Sequence, residues 1–187
     1  MKCKKGFKEE SGKCVKEKID TYCDANVLLA FSNRDRLRIV LGRHGYDRFK
    51  DHIVGKQYEN SERNSRRLNS CVIDRETLLN DIDYHKASVG AVLTATGLRR
   101  IKVKNINGEE EGKKAYSNAC AKVEKGTHFH NQFCDGNKIK ENLDDNNLND
   151  VRHFGSAIKF NSKVFLTSNT KDFKPLMKVT NIKVEGE

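Results

Sequence analysis

The sequence predicts a three-layer α/β sandwich in which helices flank a central, mainly parallel sheet. Short β-branched and aromatic stretches alternate along the chain with stretches of helical apolar spacing, and this alternation favours parallel strands joined by crossover helices. The chain has 187 residues, which suits one α/β domain of ~100–200 residues with a short appendage. Its hydrophobic content of 36% is enough for a core, whereas no apolar run approaches the ~18 residues of a membrane span.

The chain divides into two parts by composition. Residues 1–17 are charged, contain glycine and have few apolar positions, so we interpret them as a basic N-terminal appendage. Residues 18–187 are predicted to form one domain with an enlarged middle region at about 63–147. The sequence has no internal repeat and no glycine-rich phosphate loop followed by lysine and serine or threonine, which disfavours nucleotide hydrolysis of the P-loop kind.

The first elements are predicted from alternation and from capping. Residues 19–23 alternate and carry β-branched and aromatic side chains, which is typical of a strand, and Asp24 follows at its end. Asn26 is predicted to be the N-cap of a helix that continues to Phe31, because its side chain can accept an unpaired amide hydrogen. The next predicted elements are a helix over 37–41, a strand over 49–54 and a polar helix over 56–68.

The later elements follow from the same periodicities. Strict alternation predicts a strand with one lysine face at 101–106, and the glycine-, asparagine- and aspartate-rich residues 124–147 are predicted to form a long polar loop. The other predicted elements are helices over 75–97, 110–123 and 148–158, and strands over 163–167 and 178–184.

The charge of the chain favours an anionic partner. Lysine and arginine number 36 against 26 acidic residues, which gives a net charge of +10. Cations that neutralise phosphates release condensed counterions, so a chain this basic is attracted to nucleic acids. We place a nucleic acid ahead of the simpler interpretation, in which the lysines only keep the surface soluble. With 7% aromatic residues and no tryptophan, the sequence argues against a dedicated single-strand stacking platform.

The cysteines lack the common metal and redox patterns. Six cysteines are present without any CxxC pair, so the signatures of zinc ribbons and thioredoxin-like sites are absent. Residues 1–8 are rich in lysine and have no apolar stretch behind them. We therefore expect no secretory signal, mostly reduced thiols and a cytoplasmic protein.

Two groups of potential zinc ligands nevertheless occur. Cys3 and Cys14 flank a small turn, and we interpret them as incidental thiols. The alternatives are a disulfide between them, or half of a metal site completed by Cys23. A second group lies in a polar stretch and fits no standard zinc spacing; it comprises His128, His130 and Cys134.

Polar side chains follow two of the predicted strands. Asp24 comes after the first strand, and Asn169 comes after a later apolar strand, with Thr167 and Ser168 beside it. Ligands of an open parallel sheet bind outside the carboxyl ends of its strands. These residues are therefore candidates for a binding site.

Three further acids are candidates for the same site. Asp150 lies at the start of the intervening predicted helix, where a carboxylate also suits the positive helix end. Glu59 and Glu62 share one face of the polar helix. If these acids converge with Asp24, they form an all-oxygen pocket suited to Mg²⁺ or Mn²⁺, which would assist attack on a phosphodiester. The alternative for each acid is a helix cap or a solvated surface charge.

Three segments resemble the PIN-domain ribonucleases, in the order in which that family has them. Residues 20–29 resemble its opening strand and helix, with the Asp-x-Asn pattern. Residues 149–158 resemble its third-acid helix in the Asp-x-x-His variant, and residues 164–173 resemble its final strand with Thr-x-Asn and a following Asp-Phe. The segments cover the two ends of the domain, and the middle region has no clear match.

The resemblance implies a metal-dependent endoribonuclease that hydrolyses phosphodiester bonds of single-stranded RNA with Mg²⁺ or Mn²⁺. Asp24 matches the first acid, Asp150 the third and Asn169 the fourth position. The second acid is expected in a helix after the second strand, where Glu59 or Glu62 matches it, although the usual apolar residues and proline before it are absent. The residues expected to support the site are Asn26, Thr167, Ser168 and Asp172, the last being the alternative final acid.

The implied partner is RNA, either single-stranded or structured, and no membrane is expected. If the chain is the toxin of a toxin–antitoxin pair, a small antitoxin is a second partner, and a homodimer is a further alternative. Two other functions stay open: a catalytically weakened PIN-like module that binds nucleic acid, and a metal-stabilised interaction domain built on the cysteines and histidines.

Overall fold

The structure is a computed structural model that describes residues 2–4, 7–16, 21–30, 71–83 and 101–186. Within these ranges the chain is an α/β protein with a five-stranded parallel sheet. The predicted helices and strand between residues 31 and 70, and the part of the predicted helix 75–97 beyond residue 83, lie outside the described residues.

The basic N-terminal appendage folds into a hairpin. Strands β1 (Phe7–Glu10) and β2 (Lys13–Lys16) pair antiparallel. The two turn residues between them have φ values of 51° and 75°, and the second is Gly12, which adopts a left-handed conformation without strain. A disulfide joins Cys3 to Cys14 across the hairpin, so their interpretation as incidental thiols was wrong.

The central sheet has the strand order β5-β4-β3-β6-β7, and every neighbouring pair is parallel. This confirms the predicted α/β class and the parallel pairing. In chain order, β3, β4 and β5 lie successively toward one edge of the sheet, and β6 and β7 lie successively toward the other edge. The strands are β3 (Thr21–Cys23), β4 (Cys71–Asp74), β5 (Lys102–Lys104), β6 (Val164–Leu166) and β7 (Lys183–Glu185).

The described helices connect these strands. They are α1 (Ala25–Ala30), α2 (Arg75–Asp83), α3 (Glu109–Cys120) and α4 (Asp145–Lys159). Shorter helical turns are the π-helical segments His130–Cys134 and Lys138–Asn142 and the 3₁₀ segments Thr170–Asp172 and Lys174–Lys178. Among the described helices, none has the length and apolar content that a bilayer crossing requires.

Two predicted boundaries differ from the structure. Helix α1 begins at Ala25, directly after the strand, so Asn26 lies in its first turn and is not the N-cap. Its side-chain oxygen instead accepts from the backbone N–H of Ser168 at 3.3 Å. The last strand was predicted over 178–184, but β7 spans only 183–185; a 3₁₀ segment that contains Pro175 occupies residues 174–178.

The polar stretch 124–147 is not an open loop. It contains both π-helical segments, and a disulfide joins Cys134 to Cys120 at the end of α3. The rings of Phe129 and Phe133 are buried against Tyr116, with centroids 5.5 and 4.7 Å away. Two aromatic side chains and one disulfide thus attach a stretch of polar composition to the core.

Aromatic rings also form the core above the sheet. Tyr22 of β3 and Phe165 of β6 stack at 5.6 Å, and Phe154 of α4 packs on Phe165 at 5.2 Å. Phe173 lies against the same ring at 4.6 Å. All four side chains are fully buried. This contact fixes α4 over the two central strands, which is the placement that the site below requires.

Helices α3 and α4 touch through their backbones. Gly155 of α4 lies against Gly108 and Gly112, and a Cβ on any of the three would overlap backbone atoms of the other helix. The N–H of Gly108 donates to the Ser156 hydroxyl at 3.1 Å across the same contact. Only glycine permits so close an approach, so these positions set the distance between the two helices.

We predict that Gly155→Ala destabilises the fold by about 1–3 kcal/mol, the usual cost of overpacking. In an isolated helix the same change would stabilise the helix by ~1 kcal/mol. A decrease in the free energy of unfolding therefore indicates the close backbone contact. Urea unfolding measures the effect. Gly186→Ala is the matched control, because a Cβ there meets only a methyl group at 3.7 Å. Equal stability of the two variants would contradict the close approach.

Candidate metal centre and active site

The site lies where the strand order of the sheet reverses. The chain passes from β3 to one side of the sheet and later returns to the other side at β6, so the reversal falls between these two strands. Connections leave the two strands in opposite directions there, which opens a crevice at their carboxyl ends. Asp24 and Thr167 are the residues that immediately follow the two strands.

Asp24 is held in this crevice by three hydrogen bonds. Its N–H donates to the Leu166 carbonyl at 2.9 Å, which continues the pairing of β3 with β6. Its carboxylate accepts from the Thr167 hydroxyl at 3.0 Å and from the Ala25 N–H at 2.8 Å. The side chain is only 5% exposed. Burial raises the pKa of Asp24 above its ordinary value, although the nearby His153 opposes this increase.

Asp150 faces the same crevice from α4. It was predicted at the start of its helix, but α4 begins at Asp145. Asp150 therefore lies in the second turn and is not stabilised by the positive end of the helix dipole. Burial raises the pKa of Asp150 well above its ordinary value, and the charge of Asp24 adds most to this increase. Asp172 adds a further increase. The structure therefore brings the predicted first and third acids within electrostatic range of each other.

Asp81 of α2 is a further acid of this cluster, and the sequence analysis did not identify it. Its carboxylate accepts from the Asn149 amide at 2.8 Å and from His153 Nε2 at 2.6 Å. Its charge contributes to the raised pKa of both Asp24 and Asp150. The sequence signal that could have found it is the short apolar run Cys71-Val72-Ile73, which ends at Asp74 and forms β4. Asp81 lies in α2, the helix that follows this second strand of the sheet.

His153 is the basic group among these acids. Its ring is 1% exposed, and Nδ1 lies 2.7 Å from the Tyr22 hydroxyl. Burial lowers the pKa of His153, but the adjacent Asp81 and the more distant Asp24 raise it by more, so the net pKa is above the ordinary value. Because an ionised carboxylate only accepts hydrogen bonds, we assign a hydrogen to Nε2, which donates it to Asp81.

The predicted fourth position is linked to the site through Thr167 and Asp172. The N–H of Asn169 donates to the Thr167 hydroxyl at 3.0 Å, and its side-chain amide donates to Asp172. Asp172 is 4% exposed and also lies 2.8 Å from His128 Nε2. Since the His128 side chain is 67% exposed, this imidazole lies between the buried acid and solvent.

Tyr116 contributes a buried hydroxyl near the acids of the site. The residue is fully buried, and within the described residues its hydroxyl has no hydrogen-bond partner. Burial raises the pKa of Tyr116 well above its ordinary value, and the charges of three acids raise it further: Asp150, Asp24 and Asp172. A buried donor without an acceptor is unfavourable. The Tyr116 hydroxyl is therefore available to donate to a water or to a hydrated ion near these three acids.

Asp74 shows that a strand-end acid can be purely structural. One oxygen accepts from the Thr77 N–H and hydroxyl at 3.1 and 2.7 Å, which caps α2. The other accepts from the backbone N–H groups of Ile106 and Asn107 at 2.8 and 3.1 Å. Burial raises the pKa of Asp74, but these hydrogen bonds lower it by more, to below the ordinary value. With both oxygens engaged twice, Asp74 is unsuited to bind a cation.

The other predicted ligands have different outcomes. Glu59 and Glu62 lie outside the described residues. The group of His128, His130 and Cys134 does not form a site, because Cys134 is in a disulfide and the two imidazoles contact different acids, Asp172 and Asp135.

All six cysteines are paired. The third disulfide joins Cys23 to Cys71, next to each other on β3 and β4. The expectation of mostly reduced thiols was therefore wrong for this structure. The absence of CxxC pairs excluded two metal and redox motifs but gave no information about long-range pairing.

The donor set fits a hard divalent cation. Asp24, Asp150 and Asp81 offer oxygen ligands, and the raised pKa values of Asp24 and Asp150 record in part a repulsion that a cation would remove. Within the described ranges, no group of three or more His, Cys, Asp or Glu side chains is arranged so that it could hold a metal ion. This is compatible with Mg²⁺, which keeps several waters and binds proteins through one or two carboxylates.

A comparison of the chain with protein-family models, curated proteins and solved structures found no match.

We predict that the cation-free protein loses stability as pH rises above the ordinary carboxyl range. A carboxyl group with a raised folded-state pKa binds its proton more tightly when folded, so its contribution is present below the unfolded pKa of ~3.9 and is lost as pH passes the folded value. Replacing Asp150 by Asn removes its share of this loss. In excess chelator, the stability difference between Asp150→Asn and wild type should therefore shift in favour of the variant from pH 4.5 to pH 7.5.

Urea unfolding at the two pH values measures this difference. The comparison of variant with wild type cancels other titrating groups, including Asp74, whose lowered pKa acts in the opposite direction. A stability difference that is independent of pH would contradict the raised pKa of Asp150.

Proposed function

We propose that this chain is a metal-dependent endoribonuclease with a PIN-like three-layer α/β fold, which hydrolyses phosphodiester bonds of single-stranded RNA. One observation carries the proposal: three segments far apart in sequence bring Asp24, Asp81 and Asp150 within electrostatic range. Asp81 raises the pKa of Asp24, and both Asp24 and Asp81 raise the pKa of Asp150. Carboxylates that repel one another in a crevice favour a bound cation, and phosphodiester hydrolysis is chemistry that such a cation assists.

Each side chain has a role in this proposal. Asp24 and Asp150 hold Mg²⁺ or Mn²⁺ as first and third acids, and Asp81 takes the place of the second acid, in the helix after the second strand of the sheet. When bound, the ion would lower the pKa of a coordinated water and stabilise negative charge on the phosphate. The Thr167 hydroxyl orients Asp24 through the 3.0 Å hydrogen bond, and Asn169 is bound to the same hydroxyl through its N–H.

The charge of the chain supports a polyanionic substrate. The site acids are local exceptions in a chain with a net charge of +10. Exposed lysines attract the RNA backbone over a distance of about one Debye length, ~8–10 Å. The acids would repel the same backbone unless a cation neutralised them, so substrate binding and cation binding are expected to support each other.

A second candidate function is a PIN-like module that binds nucleic acid without cleaving it. The observation in its favour is that no group of three or more His, Cys, Asp or Glu side chains of the described ranges is arranged so that it could hold a metal ion. The two candidates differ in one measurable respect, since only the nuclease requires a divalent cation for an effect on RNA.

We predict that the purified protein cleaves single-stranded RNA in Mg²⁺ or Mn²⁺, and that Asp150→Asn lowers cleavage by about 100-fold or more while RNA binding survives. The loss follows from removing a ligand charge, and its size is typical of losing one charge-stabilising group. Cleavage of a labelled RNA on gels and binding by fluorescence anisotropy provide the two measurements. Asp145→Asn is the matched control, because Asp145 is exposed in the first turn of the same helix.

Undiminished cleavage by Asp150→Asn, or cleavage that persists in excess chelator, would refute the nuclease. RNA binding without any cleavage in either cation would favour the binding module. That module would in turn be refuted by an affinity for RNA that does not fall as salt rises.

We also predict that Tyr116→Phe weakens Mn²⁺ binding by about threefold to tenfold without loss of stability in the cation-free protein. The hydroxyl has no partner among the described residues, so its removal is neutral or slightly stabilising. If it donates to a water of the hydrated ion, its loss weakens ion binding by one hydrogen bond of about 1 kcal/mol. Calorimetric titration with Mn²⁺ and urea unfolding in chelator measure the two effects. A variant that is less stable and binds Mn²⁺ normally would contradict this interpretation.

A further inference from the structure

Both carboxylate oxygens of Asp81 are held by side chains of α4. The Asn149 amide donates to Oδ1 at 2.8 Å, and His153 Nε2 donates to Oδ2 at 2.6 Å. Asn149 and His153 are four residues apart and therefore lie on the same face of the helix, one turn from each other. They are 6% and 1% exposed, whereas the Asp81 side chain is 24% exposed. The donors are buried, and the carboxylate that they hold is partly exposed to solvent.

His153 is itself fixed by a hydrogen-bonded pair behind it. Its Nδ1 lies 2.7 Å from the Tyr22 hydroxyl, and that hydroxyl accepts from the Asp74 N–H at 2.9 Å. Burial raises the pKa of Tyr22 well above its ordinary value, so the hydroxyl keeps its hydrogen. Tyr22 lies two residues before Asp24 on β3. These hydrogen bonds thus connect β3, which precedes Asp24, to α4, which carries Asp150.

The hydrogen bonds to Asp81 leave part of its acceptor capacity free. A carboxylate oxygen can accept about two hydrogen bonds, and one is used on each oxygen by α4. The charge of Asp81 acts on Asp24 and on Asp150, so the carboxylate lies near both. A ligand whose orientation is fixed in advance loses less freedom when an ion binds, and groups that fix metal ligands in this way commonly contribute ~10–100-fold to metal affinity.

We propose that Asn149 and His153 are positioning residues, which hold the Asp81 carboxylate in the orientation that favours a hydrated divalent cation at Asp24 and Asp150. This rests on the proposed function, since it assigns to that site the groups that orient one of its ligands. Neither residue touches the RNA or the reacting atoms in this role.

The test is a calorimetric titration of the chelator-stripped, full-length, disulfide-bonded protein with Mn²⁺. His153→Leu and Asn149→Ala each remove one donor to Asp81, and we expect each to weaken Mn²⁺ binding by about tenfold. His153→Gln is the conservative variant, because its side-chain amide can donate where Nε2 does. We expect it to bind Mn²⁺ within about threefold of wild type. Asn147→Ala is the matched control on the same helix, since its side chain bonds Gln132 and Asp144 instead of Asp81.

Urea unfolding in chelator and cleavage kinetics distinguish positioning from a purely structural role. A structural role lowers stability in all cation concentrations and leaves the affinity of the folded protein for Mn²⁺ unchanged. Positioning raises the Mn²⁺ concentration at half-maximal cleavage, with kcat largely restored at saturating Mn²⁺ and KM for the RNA unaltered. If His153→Leu does not fold, Asn149→Ala and His153→Gln still provide the comparison.

The outcomes are separable from those of the proposed function. Wild-type protein that binds Mn²⁺, together with unchanged binding by Asn149→Ala and His153→Leu, would overturn the positioning role and leave the nuclease standing. A loss in His153→Gln as large as that in His153→Leu would overturn the role of the Nε2 donor. Wild-type protein that binds no Mn²⁺ would overturn both proposals together.

Discussion

The repulsion between buried carboxylates is the constraint on which the site depends. Asp24 and Asp150 lose hydration on folding, which raises the pKa of both. The charge of Asp81 adds to the increase at Asp24, and the charges of Asp24, Asp172 and Asp81 add to the increase at Asp150. A fold keeps such a cluster only if the surrounding structure holds it in place. Here hydrogen bonds to Asp24 and Asp81, together with the buried His153, supply that support. A divalent cation would remove the remaining repulsion, and the proposed metal-dependent function rests on this argument.

The fold meets this constraint through contacts that are remote from the acids themselves. The stacked rings of Tyr22, Phe165 and Phe154 fix α4 over the central strands. The close approach of α3 and α4 at Gly155 sets the position of Asp150 from the other side. Both contacts are insensitive to pH and salt, because they consist of packing and not of charge. The position of the acids is therefore determined by packing contacts, whereas their pKa values are determined by burial and by neighbouring charges.

Asp74 and Asp81 illustrate how the same side chain serves two purposes within one short segment. Asp74 ends β4 and has both oxygens saturated by backbone and hydroxyl donors, so it caps a helix and secures the turn before α3. Asp81 follows two turns later, has one donor on each oxygen and is partly exposed. The number of donors around a carboxylate, and not its place at a strand end, separates a structural acid from a candidate ligand.

The sequence by itself determined the α/β class and the parallel strands, and it pointed to Asp24 and Asp150 as candidate site residues, because periodicity and the residues after each strand are local properties. It also indicated Thr167 and Asn169, which lie directly after β6. Only the tertiary structure identified Asp81 and the disulfide between Cys23 and Cys71, since these depend on which segments become neighbours across 48 to 72 residues of chain. No local pattern encodes that choice: it follows from the strand order of the sheet and from the burial of aromatic rings between strands and helices.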